Sequence, residues 1–74
     1  MIVKSKITGK SYDTNKVVRI INPQQVAAYL IHSAEPLDIY ASRHYESNVP
    51  IVIYLFDREQ TKSLYDAWCK HELK

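Results

Sequence analysis

At 74 residues the chain carries a single domain, residues 1–74, and a chain of this length buries only about 60% of the surface that it exposes when unfolded. Its one cysteine, Cys69, excludes a disulfide staple, and one Cys with three scattered His argues against a protein-held zinc. Ten Lys and Arg against eight Asp and Glu leave a net charge of +2, too little to advertise nucleic acid, and no apolar run reaches the roughly 20 residues that span a membrane.

Met1 to Lys10 has no apolar stretch of the secretory kind, so the expected location is the cytoplasm. The single glycine, Gly9, sits in the turn composition Thr8-Gly9-Lys10-Ser11, and phosphate-cradling glycine loops, which need at least two glycines, are excluded. Met1 to Thr8 alternates weakly and predicts an edge strand guarded by lysines. Tyr12 to Lys16 reads as a polar connection, and Val17 to Ile21 as a compact β-branched strand that pairs with the first. Asn22-Pro23 predicts a helix start, with Asn as cap and Pro at the first helical position, running to about His32. Glu35-Pro36 blocks its continuation.

Leu37 to Tyr45 alternates as a strand. Glu46-Ser47-Asn48 forms the turn, and Pro50 opens a strand, Ile51 to Phe56, that is apolar on both faces. Asp57 with Gln60 gives a capping pattern for a last helix to about Leu73. The predicted fold is therefore α+β: an antiparallel four-stranded sheet in the order β-β-α-β-β-α, with two helices packed on one face.

The inward set expected from these patterns is Val26, Leu30, Leu64, Trp68, Leu37, Ile39, Ile51, Ile53 and Leu55. Val52, Tyr54 and Phe56 then point away from both helices, joined by Tyr40 and His44. Wetting such an aromatic face forgoes several kcal/mol, comparable with the stability of a small domain, so a second copy, a partner protein or a flat ligand is expected to cover it. A homo-oligomer is the first expectation.

The chemistry points to binding rather than turnover. His32, His44 and His71 lack ligand spacing, Cys69 reads as a small buried hydrophobe, and Asp57 is explained as a cap. No catalytic residue, metal or cofactor is expected. Arg19 inside an apolar strand, Arg43 beside His44, and Arg58 and Lys62 at the head of the last helix are candidate anion ligands. Tyr40, Tyr45 and Tyr54 are candidate stacking rings, which together suit a nucleotide-like ligand.

The segments "VVRIINPQQVAAYLI", "LDIY" and "VIYLFDREQTKSLYDAWCKHEL" resemble, over about residues 17 to 73, small proteins of firmicutes and their phages. Several compact phage proteins act as anti-defence factors, so the resemblance implies a protein that works by capture in the host cytoplasm. The expectation is a non-enzymatic oligomeric sponge for a small nucleotide-like signal. The alternatives are an inhibitor that blocks a host defence protein by direct binding, or a small nucleic-acid-binding module.

Overall fold

The computed structural model describes residues 1–73. In chain order the elements are β1 (Ile2–Lys4), β2 (Ser11–Asp13), β3 (Val17–Ile20), α1 (Pro23–Ile31), β4 (Asp38–Arg43), β5 (Pro50–Asp57) and α2 (Lys62–Cys69). The fold is α+β, but with two antiparallel sheets, β1-β2 and β3-β5-β4, in place of one four-stranded sheet.

β5 lies between β3 and β4 because it has no polar face to give to water. Its proline sits at its first residue, where a missing amide costs the ladder least. The register makes the two faces unequal. Leu55 lies between Arg19 of β3 and Asp38 of β4, and Ile53 and Ile51 lie beside Tyr40 and Ser42. On the other face Phe56 meets Val18, Tyr54 meets Ile20 and Ile39, and Val52 meets Ala41. The second face is apolar on every strand, and it is the one that the helices cover.

β3 and β4 both run antiparallel to β5, so α1 is the crossover between two parallel strands. Asn22 caps it through a 3.0 Å bond from the Gln24 amide, and Pro23 opens the first turn. Tyr29 and Phe56 are both 0% exposed and meet edge to face, with centroids 5.3 Å apart. Ile20 and Val26 complete this cluster, with Leu64 and Trp68 of α2 packed against it. The buried Tyr29 hydroxyl accepts from Gln25 Nε2 at 3.1 Å, so its burial leaves no polar group stranded.

Both helices stop without glycine. After α1, Ser33 adopts φ 69°, and the Ser33 and Ala34 amides close onto the Leu30 and Tyr29 carbonyls. After α2, His71 adopts φ 58°, and His71 and Glu72 close onto Trp68 and Ala67 in the same way. Asp57 does cap, accepting from the Glu59 and Gln60 amides at 2.9 and 3.1 Å. The segment that it caps is a turn, and α2 begins one turn later and ends at Cys69 rather than Leu73.

The N-terminal segment is the main departure from expectation. Rather than pairing with β3, β1 pairs with β2 across a loop centred on Ser5 and Gly9. The Ser5 hydroxyl accepts from the Ile7 and Thr8 amides, and Gly9 takes φ 74°, where an L side chain is strained. The hairpin covers the Ile53 face, where Tyr12, Ile53 and Leu55 form a second buried cluster.

Asp38 latches the hairpin in place. It accepts 2.6 Å bonds from both the Ser5 and Tyr12 hydroxyls, and Thr8 Oγ1 donates to the Leu37 carbonyl at 2.7 Å. These donors hold the Asp38 carboxyl below its ordinary range. The same bond, with burial, pushes the Tyr12 phenol up to about 12.

The facial assignment made from the sequence is therefore reversed. Phe56 and Tyr54 lie under the chain's own helices, while Ile51, Ile53, Leu55 and Leu37 lie under its own hairpin. Leu30 is exposed, and Ile39 lines up with Tyr54 rather than Ile53. The aromatic face that motivated a second copy is largely closed from within.

Phe56→Ala is expected to cost about 3–5 kcal/mol, much of the stability of so small a domain. Urea unfolding measures it, and an unchanged midpoint would place Phe56 outside the core. Asp38→Asn is expected to cost about 1.5–3 kcal/mol, the worth of hydrogen bonds to a charged group. Because the Asp38 pKa is lowered by folding, its contribution is full above the ordinary carboxylate range and is lost as pH falls below that range through the lowered folded value. Tyr12 is the opposite case, contributing fully below its ordinary 10.0 and losing that contribution as pH rises through about 12. The acid limb of stability should flatten in Asp38→Asn, and an unaltered limb would contradict the latch.

Candidate functional site

The residues expected to bind a ligand do not converge on one place. Tyr54 is half-buried against the helix-side cluster. Arg43 braces the β4–β5 turn, donating from Nη1 to the Asn48 carbonyl at 3.0 Å. Tyr45, 88% exposed, stacks on His44 at 5.0 Å at the tip of that turn. Tyr40 lies on the hairpin side beside Ile53, in a shallow depression that it shares with Arg19 and Asp38. Arg19 also lines a second hollow with Arg43 and Tyr45, beside Ser42 and His44, so three of the expected ligand residues do meet there.

Arg19, Arg58 and Lys62 do share one groove, of about 570 Å3. It runs along all four residues of β3 and is walled on the far side by Thr61, Lys62 and Tyr65 at the start of α2. Val18, Ile20 and Tyr29 make its floor apolar. Helix periodicity explains the wall: Lys62 and Tyr65 are one turn apart on one side of α2, adjoining the row of Leu64 and Trp68. Tyr65 is the residue that sequence reasoning missed. It is 52% exposed, and Cys69 one turn further on raises its phenol pKa, chiefly through a side-chain hydrogen bond. The signal was present as an aromatic in the helical row next to Leu64 and Trp68, one turn before Cys69.

No carboxylate lines the groove. Among the described residues the ion pairs are Met1 with Asp13 and Lys10 with Glu35, so Arg19, Arg58 and Lys62 have no acidic partner. Arg58 instead donates from Nη2 to the Val17 carbonyl at 3.3 Å, a long bond at the strand edge. An apolar channel rimmed by unpaired cations suits an anionic ligand with apolar parts. Among the described residues no three His, Cys, Asp or Glu side chains gather as a metal set, and no helix is long and apolar enough to cross a membrane.

Comparison with known protein families, with curated proteins and with solved structures finds no match.

The two tyrosines put forward as stacking rings should behave oppositely on truncation. Tyr54→Ala is expected to lower the melting temperature by several degrees, through lost packing. Tyr45→Ala should stay within about 0.5 kcal/mol of the parent. Equal effects in calorimetry would contradict the placement of Tyr54 under the helices.

Proposed function

We propose that this chain is a non-enzymatic capture protein that holds an anionic partner in the groove between β3 and α2. One observation carries the reading: Arg19, Arg58 and Lys62 line a single apolar channel with no carboxylate in it. Stoichiometric capture needs charge and shape but no nucleophile or general base. It also needs no subunit boundary here, because one chain supplies both walls of the groove.

Two kinds of partner carry suitable charge. A nucleotide-like ion would set its base against Tyr65 and its phosphates toward the cations. An acidic segment of a protein would use the same cations along the strand. The likeness to compact phage proteins supports an anti-defence role for either form of capture, as sponge or as direct inhibitor.

A panel of nucleotides, inorganic tripolyphosphate and an oligo-aspartate peptide, read by thermal shift, tests the reading. A ligand specific for the folded state adds about 2.7 kcal/mol at 100 times its Kd. At least one anionic class should shift the parent protein and fail to shift the Arg58→Glu, Lys62→Glu double variant. No shift with any anion, or an equal shift in the variant, would contradict the proposal.

A further inference from the structure

We propose that the groove's partner is an extended acidic segment of another protein, which adds as a strand to the free edge of β3. The inference rests on the groove being a capture site and names what it captures.

The backbone geometry supplies the first argument. The Arg58 amide donates to the Lys16 carbonyl at 3.0 Å, and the Leu37 amide to the Leu55 carbonyl at 2.7 Å. In an antiparallel ladder the backbone groups of successive residues turn to alternate sides. Val18 and Ile20 therefore pair with Phe56 and Tyr54, and Val17 and Arg19 turn their amides and carbonyls outward. The outward Val17 carbonyl is met only by the Arg58 guanidinium, a charged guard of the sort that keeps edge strands from pairing at random. The Arg19 amide and carbonyl point into the open groove that runs the length of the strand.

The placement of the cations supplies the second. Arg19 shares the Leu55 face of the sheet, whereas Lys62 and Tyr65 stand on the Phe56 side with α2. The strand edge lies between them. A compact ion at one point does not reach both sides, but an added strand does, because its side chains alternate between the two faces. Acidic residues on one side meet Arg19. On the other, apolar residues lie over Val18 and Ile20 and an acidic one meets Lys62. Displacing Arg58 from the Val17 carbonyl frees its guanidinium for a further carboxylate. This is peptide recognition by strand addition, with main-chain bonds for affinity and side-chain sites for specificity.

Charge also chooses against the alternative occupant. Pairing β3 with its own copy would bring the Arg19, Arg58 and Lys62 sets of two chains together across a groove whose lining holds no carboxylate. The opposite edge, β4, is less suited, since its start is engaged by Ser5 and Tyr12 at Asp38.

The test uses a capped peptide that alternates aspartate and valine with one valine replaced by aspartate, so that each face of the strand carries an acid, a counterpart with lysine at every aspartate, and two forms of the acidic peptide N-methylated on one or the other alternate set of amides. The readouts are titration by NMR and hydrogen exchange at the Arg19 amide. The acidic peptide should bind and slow Arg19 exchange at least tenfold, and the basic peptide should not. Arg58→Glu and Lys62→Glu should each weaken binding about tenfold. One N-methylated form should lose at least tenfold in affinity, while the other binds as the parent does. Equal binding of both methylated forms would overturn strand addition while leaving anion capture in place. So would binding of nucleotides without binding of the acidic peptide. No binding of any anionic probe would overturn both.

Discussion

The structure is governed by one strand that cannot face water on either side. β5 places Ile51, Ile53 and Leu55 on one face and Val52, Tyr54 and Phe56 on the other. A chain of this length cannot leave both rows wet and remain folded, although Val52 stays 47% exposed at one end of its row. It answers with two different covers. α1 and α2 take the Phe56 row, and the β1–β2 hairpin takes the Ile53 row. The covers differ because their faces differ: the helices meet apolar neighbours on every strand, whereas the hairpin meets Arg19, Asp38, Tyr40 and Ser42. Short polar side chains on a small hairpin suit that mixed surface better than a helix stripe does, and Asp38 binds two of them directly.

With both faces covered, what remains open is an edge. α2 leans over the helix side and stands beside β3, and the gap between them becomes the groove. The stability of the sheet and the availability of the groove proposed as the binding surface thus have the same origin. Arg58 joins them: its amide closes the ladder onto Lys16, and its side chain stands over the Val17 carbonyl. Loss of that side chain leaves the ladder bond intact and bares the edge.

The sequence made much of this legible. The helix start at Asn22-Pro23, the Asp57 cap, the turn before Pro50 and the doubly apolar β5 all follow from local chemistry, and all are present. What could not be read was which row of β5 lies under the helices. Both rows are apolar, so alternation along β5 alone does not decide. The decision lies in cross-strand register, which sets Arg19 and Asp38 beside Leu55 and leaves Val18, Ile20 and Ile39 to the aromatic row. Ser5 and Tyr12 were likewise opaque, since each looks polar or turn-like until Asp38 is placed between them. The candidate site was half legible for the same reason. Arg19, Arg58 and Lys62 share a groove because β3 and α2 come together in space, while Tyr54 was assigned to the wrong side with the rest of its row.

The central claim, that this chain closes both faces of its own sheet, is tested most directly by isotope-filtered nuclear Overhauser measurements on an equal mixture of labelled and unlabelled protein. The account predicts intrachain contacts from the Tyr29 ring to Phe56 and from the Tyr12 ring to the Leu55 and Ile53 methyls. Contacts to Phe56 that arise only between labelled and unlabelled copies would contradict it.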